Sequence, residues 1–248
     1  MNGNSTVDGV RAVELFYRPI KNTDSGRVTF LQSQTRLNSP VMGTLMPADY
    51  LPVAQLSDQC ISIFKLALVQ LLQALGKFHE REVDVDWASV FMPARFLRQT
   101  EAPRVVADYC DKFGVKYERV CFELSPDVLD ESDSTAADNV ALMRRQGFHF
   151  LLTGFGTEDF KMLKTAEFKV DNIMLDGSVA HVLGKSDRYD TCVNSLLNFV
   201  FDLNAEVIAD GIIDDKQVKK LSGMQCLYYS GEKAGKYIAE RYVRNRNE

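Results

Sequence analysis

From Val85 onward the chain repeats one pattern: an apolar run of strand length, a turn, then a segment with helical spacing. Strands that alternate with helices become parallel neighbours joined by crossovers, which confines the chain to the α/β class. Strands are expected at 85–92, 119–124, 148–153, 170–175, 206–210 and 225–229. Helices are expected from Pro103 to a stop at Gly114, over 136–145 before Gly147, and over 158–164, 191–203, 215–221 and 232–244.

Ahead of that pattern, 13–20 (VELFYRPI) and 27–36 (RVTFLQSQTR) read as strands. The turn formers of 21–26 join them, so an antiparallel hairpin is predicted. After a loop with Pro40, Gly43 and Pro47, Ser57 or Asp58 is placed to cap a helix. Its apolar face is Ile61, Phe64, Leu68, Leu71, Leu72 and Leu75, with Gly76 as its expected end. Eight strands in 248 residues argue for a closed (β/α)8 barrel, one domain over 1–248 with a disordered lead at 1–10. Met1 lies so near the first strand that the chain reads as a stand-alone domain.

A net charge of about −5 gives no reason to expect direct nucleic-acid binding or an anionic membrane as partner. Residues 1–9 lack the apolar core of a secretory segment. The apolar run 61–75 is interrupted by Lys65 and two glutamines and is too short to span a bilayer, so it reads as a soluble helix. Five dispersed cysteines without a short pairing fit a reducing cytoplasm, and a cytoplasmic location is expected.

In such a barrel the C-terminal strand ends carry the chemistry. The run FHFLLTGFGTEDF at 148–160 ends its strand on Thr153 and Gly154, neither of which is a strong metal ligand or a base. The other mouth residues are Gln32, Gln34, Arg36, Phe91, Glu123, Met174, Asp176, Asp210 and Tyr229. Three carboxylates fall short of what a two-metal hydrolytic centre needs, and Phe91 puts a ring where a ligand is wanted. Glu123 and Asp210 are equally suited to capping the helices that follow them. The three histidines are far apart, and no nucleophile elbow, Walker loop or zinc motif occurs. The glycines at 154 and 156 could cradle an anion, but a tight strand exit is their more ordinary role. Near the C-terminus Lys236, Arg241 and Arg244 stand beside Tyr237, Ile238 and Tyr242, with Lys216, Lys219 and Lys220 upstream. That basic surface is either a solvated face or a partner-binding one.

These residues resemble the EAL-domain phosphodiesterases, bacterial barrels that hydrolyse cyclic di-GMP with two metal ions. FYRPI at 16–20 is similar to the family's YQPI strand, and 25–40 to the strand with its signature. MPADYLPVAQ at 46–55, ERVCFEL at 118–124 and VIADGI at 207–212 are similar to further family motifs. The resemblance implies a barrel whose first two strands are antiparallel. It also implies broken chemistry. The signature E-A-L-x-R reads Gln32-Ser33-Gln34-Thr35-Arg36, so the metal-binding glutamate is an amide and the arginine remains. Phe91 stands for the asparagine, Thr153 and Gly154 for the paired aspartates, and Met174 for the lysine before Asp176. Glu123 is kept while Pro126 replaces the second acid of its motif, and Asp210 is a shortened glutamate with Ile213 at the next acid.

Losses to parts that act as a unit remove nearly all of a rate, so an inactive phosphodiesterase is expected, with no metal or cofactor. The resemblance then implies a regulator that binds a protein partner, such as a transcription regulator, in control of motility, biofilm or virulence. An alternative is a metal-free receptor for cyclic di-GMP that holds a phosphate with Arg36, lined by Gln32, Gln34, Glu123, Asp176 and Asp210. An enzyme of other chemistry built on Glu123, Asp176 and Asp210 is the third reading.

Overall fold

The computed structural model describes residues 6–7, 10–130 and 134–245. Eight strands close a barrel: β1 (Val13–Asn22), β2 (Val28–Ser39), β3 (Trp87–Phe91), β4 (Val120–Leu124), β5 (His149–Phe155), β6 (Asn172–Leu175), β7 (Glu206–Ala209) and β8 (Tyr228–Tyr229). As expected from the turn-rich linker, β1 and β2 are antiparallel, in a register that sets Val13 opposite Leu37 and Arg18 opposite Gln32. Parallel pairing runs from β2 to β8, and β8 meets β1 antiparallel to complete the ring.

Side chains alternate across a strand, so each strand supplies one set to the barrel interior and one to the surrounding helices. The interior plug takes one apolar side chain from each strand: Ile20, Phe30, Trp87, Cys121, Leu151, Met174, Ile208 and Tyr228. Phe30 and Trp87 stack at 4.0 Å between centroids. Moving two residues toward the mouth on each strand gives Arg18, Gln32, Ser89, Glu123, Thr153, Asp176, Asp210 and Ser230. A wholly polar layer therefore sits directly on the apolar plug.

Six longer helices surround the strands: α1 (Pro47–Ala54), α2 (Gln59–Glu80), α3 (Ala102–Phe113), α4 (Thr135–Gln146), α5 (Asp187–Asp202) and α6 (Asp215–Gly223). Gly114 and Gly147 end α3 and α4 in the left-handed conformation, as their positions predict. Gly76 does not end α2. The helix runs on through it to 22 residues, long and apolar enough by length and composition to cross a membrane, so the expectation of a shorter helix is corrected. In the fold its apolar face, Phe64, Leu68, Leu71, Leu72, Leu75 and Phe78, is buried in the main core, and the helix packs on β1 and β3.

Four other expectations fail. Residues 158–164 form no α-helix; a 3-10 segment, Met162–Glu167, follows instead. The expected helix over 232–244 is a turn, a short strand at Ile238–Ala239 and a 3-10 turn at Glu240–Tyr242. That strand pairs with Phe16 and Tyr17 on the edge of β1 that β8 leaves open. Of the lead expected to be disordered, Thr6–Val7 and Val10–Arg11 pair antiparallel, and 1–5 and 8–9 lie outside the described residues. Two residues expected at the mouth are not there: Met174 lies in the apolar plug, and Tyr229 is packed in the outer core while Ser230 turns inward in its place. All five cysteines are unpaired, four buried and Cys192 exposed.

Candidate functional site

Six residues of the polar layer, Arg18, Gln32, Ser89, Glu123, Asp210 and Ser230, form one connected network centred on Gln32. Its amide oxygen accepts from Arg18 Nε at 2.8 Å and from the Tyr237 hydroxyl at 3.4 Å. Its amide nitrogen donates to Glu123 Oε2 at 2.9 Å and lies 3.8 Å from the Met174 sulfur. An amide is the side chain that suits this place, since it faces a cation with its oxygen and a carboxylate with its nitrogen.

Ser89, at the matching position of β3, donates to Glu123 Oε1. On the other side, Arg18 Nη2 reaches Asp210 Oδ2 at 2.9 Å. Asp210 Oδ1 accepts from the Gly211 N–H at 2.7 Å and from Ser230 Oγ at 2.8 Å. The Tyr237 ring covers Arg18, with the guanidinium carbon 5.0 Å from the ring centroid.

Titration follows this geometry. Burial alone would lower the Arg18 guanidinium, but Tyr237, Asp210 and Glu123 outweigh it and hold the group above its ordinary value. Burial likewise opposes ionisation of Asp210, yet Arg18, Ser230 and the Gly211 N–H carry it below the usual aspartate value. For Glu123 burial prevails over Ser89, Gln32 and Arg18, and its carboxyl is pushed up.

The structure thus joins three of the predicted residues, Gln32, Glu123 and Asp210, through Arg18 of β1, which stands at no signature position. Gln34 and Arg36 lie farther out: Arg36 Nε donates to Gln34 Oε1 at 3.2 Å, and its guanidinium lies 3.6 Å above the Phe16 ring. Asp176 is committed elsewhere. It caps the helical turn Gly177–Ala180, accepting from the Ser178 N–H at 2.9 Å and from Ser178 Oγ at 2.6 Å. The capping roles expected of Glu123 and Asp210 are not found: both side chains are held in the interior network, and α6, the helix after Asp210, is capped by Asp214, which accepts from the Gln217 N–H at 2.9 Å.

Thr153 Oγ1 donates to the Leu124 carbonyl at 3.1 Å. Gly154 has φ +77° and closes a tight turn in which Thr157 donates back to its carbonyl from both N–H and Oγ1. A Cβ at Gly154 would lie 2.8 Å from Pro126 Cγ. The two departures from the family pattern at 126 and 154 therefore fit each other, because the proline ring occupies the space an aspartate would take.

The basic residues expected to bind a partner are exposed on the irregular C-terminal segment rather than on a helix. Arg241 stacks on Tyr242 at 4.9 Å, and Arg244 Nη1 donates to the Val243 carbonyl at 2.9 Å. Upstream, Lys220 of α6 is paired with Asp190.

A model of the EAL domain matches residues 9–237. The chain belongs to the EAL-domain family. It is 24% identical over 203 residues to the cyclic di-GMP phosphodiesterase PdeR of Escherichia coli, covering 82% of this chain and 30% of PdeR. To the cyclic di-GMP phosphodiesterase RocR of Pseudomonas aeruginosa it is 21% identical over 232 residues, covering 92% of this chain and 59% of RocR. The chain thus spans less than two-thirds of the length of these relatives. In fold it matches the FimX EAL domain of Pseudomonas aeruginosa, solved bound to cyclic di-GMP, with a TM-score of 0.80 at 14% identity over 92% of this chain and 91% of that one.

The two metal ions implied by the family do not fit this donor set. Two carboxylates converge, all four of their oxygens accept hydrogen bonds or an ion pair from the chain, and a guanidinium already pairs with Asp210 and is linked through Gln32 to Glu123. Among the described residues no group of three or more His, Cys, Asp or Glu side chains is arranged to hold an ion.

Proposed function

We propose that this EAL domain does not hydrolyse cyclic di-GMP and acts as a regulator by binding a protein partner in a bacterial signalling pathway, such as one controlling motility, biofilm or virulence. The observation that carries this reading is the satisfied state of the interior acids: Glu123 is held by Ser89 and Gln32, and Asp210 by Arg18, Ser230 and the Gly211 N–H. Two-metal hydrolysis needs a charged cage that fixes a water between the ions. Here the same positions form a cross-braced structural layer, and the barrel around it is complete.

The surface supports a partner role. Val41 and Met42, in the turn that follows β2, are exposed, as are Val53 in α1 and Leu56 just after it. Lys236, Arg241 and Arg244 add a basic face with Tyr242. Methionine, aromatic residues and arginine are enriched in protein interfaces. Five unpaired cysteines support a reducing cytoplasm as the compartment.

The test is incubation with cyclic di-GMP in magnesium or manganese, with chromatography for the linear dinucleotide. No product is expected. Metal-dependent turnover that disappears in Glu123→Ala would overturn the reading. In the native host, crosslinking is expected to join wild-type protein to a partner that K236E/R241E/R244E no longer captures.

A second reading, a metal-free receptor for cyclic di-GMP, is favoured by one observation. Arg36 is held over the Phe16 ring and bonded to Gln34 at the mouth, a pre-set guanidinium suited to a phosphate.

A further inference from the structure

We propose that Arg18 is the built-in cation of this barrel, and that it excludes divalent ions from the interior acids by taking their place. Arg18 lies on β1 between the inward-facing Phe16 and Ile20, and its side chain is only 14% exposed. A charged group at such a position must be met by partners on every side. Asp210 meets one nitrogen at 2.9 Å, Gln32 meets another at 2.8 Å, and the Tyr237 ring closes the face above. Gln32 passes the connection on to Glu123.

The exclusion follows from charge and geometry together. A magnesium or manganese ion requires about six oxygen ligands at roughly 2.1 Å. To supply even two carboxylates, this layer would have to break the ion pair of Asp210 and the hydrogen bonds of Glu123, and it would bring a dication against a guanidinium. Arginine does not lose its proton at any pH where the protein folds, so the internal cation is permanent. Its planar fork spans the gap between Asp210 and Gln32, which a spherical ion or a lysine would bridge differently. The centre is therefore set by the chain itself and does not respond to the supply of metal.

This inference stands apart from the absence of hydrolysis. A protein that turns over no cyclic di-GMP yet binds manganese between Glu123 and Asp210 would keep the proposed function and lose this one. The experiment uses the full chain with 15N-labelled arginine and Mn2+ as the probe. In the wild type, one equivalent of Mn2+ is expected to leave the Arg18 Nε–H resonance unbroadened and the EPR signal of free Mn2+ undiminished. Arg18→Gln is expected to gain one Mn2+ site, seen as loss of the free-ion signal, and Arg18→Gln with Asp210→Asn to lose it again. Broadening of the Arg18 resonance in the wild type overturns the proposal. So does a folded Arg18→Gln protein that still binds no Mn2+, because something other than Arg18 would then keep the ion out. Should Arg18→Gln fail to fold, the wild-type resonance alone decides.

Discussion

Arg18 and Asp210 form an ion pair at 2.9 Å across the interior, linking a strand at the start of the chain to the end of a strand nearly two hundred residues later. Their side chains are 14% and 26% exposed, so water can replace a lost partner only in part. Removing one member strands the other. Arg18→Ala is expected to lower stability by about 3–5 kcal/mol, the range for breaking a buried pair from one side. The double variant Arg18→Ala, Asp210→Ala should recover a substantial part of that loss. Urea denaturation of the two single variants and the double gives the coupling, and strictly additive losses would show that the pair is not a unit.

The same pair sets an acid limit. Burial works against ionised Asp210, but Arg18, Ser230 and the Gly211 N–H carry its value below that of an ordinary aspartate. A carboxyl with a lowered folded value stabilises the fold above its unfolded value and loses that contribution as pH falls through the folded one. Asp171, burial of which is outweighed by His149, Arg144 and the Phe150 N–H, acts in the same direction at the opposite end of the barrel. Glu123 has the opposite sign: burial raises its value, so its contribution is lost as pH rises through that raised value. Urea midpoints should therefore fall steeply below about pH 4. Asp210→Asn should start lower at neutral pH and show a shallower acid fall; a curve parallel to the wild type at every pH would remove Asp210 from this account.

Restoring the family glutamate does not restore the family site. Gln32→Glu would set a carboxylate against Glu123 across a contact of 2.9 Å that now carries an N–H donor. The new acid gains charge toward Arg18 and loses the donor to Glu123, leaving a buried acceptor unmet at a cost of about 1–3 kcal/mol. Lower thermal stability and no cyclic di-GMP turnover are expected. A stability equal to wild type would mean that the amide of Gln32 is not the connector described.

Gly154→Asp, which returns half of the family's aspartate pair, meets a steric barrier. The backbone there has φ +77°, and the new Cβ would lie 2.8 Å from Pro126 Cγ. A non-glycine residue held in that region costs about 1–3 kcal/mol before the contact is counted. The variant should unfold at lower temperature, and Pro126→Ala in the same chain should relieve the contact and leave the backbone cost. Equal melting of the single and double variants would argue against the Pro126 contact.

Much of the fold was legible because strands and helices carry their own periods. The hairpin followed from the turn formers between β1 and β2, and the ring from alternation of strand and helix. The C-terminal segment was misread because charged and aromatic residues at 232–244 mimic a helical face. The signal against a helix was present in Gly231 and Gly235, whose φ values of +121° and +151° no helix accommodates. Gly231 is needed besides for space, since a Cβ there would lie 2.4 Å from the Ile212 nitrogen. Competition from the open edge of β1 could not be read locally. At the site, Arg18 lies at no signature position, although stepping by two from Phe16 to Ile20 places an arginine inside the barrel. Its meaning depends on Asp210 and Gln32, and that neighbourhood exists only once the ring has closed.

In the receptor reading, nucleotide binding at the mouth is independent of metal. In a metal-assisted site the ions neutralise the phosphates and chelation abolishes affinity. Here the charge near the mouth comes from Arg36, which is fixed over Phe16 at 3.6 Å and tied to Gln34, while Arg18 is covered by Tyr237 and paired with Asp210. Titration calorimetry with cyclic di-GMP is therefore expected to give the same heats in magnesium, in calcium and in a chelator. Any heat that is seen should vanish in Arg36→Ala, since loss of a charge-assisted contact to phosphate removes the main fixed cation at the outer level. Binding that requires magnesium would mean that the interior acids can release Arg18, and both the built-in cation and the metal-free mouth would fall together.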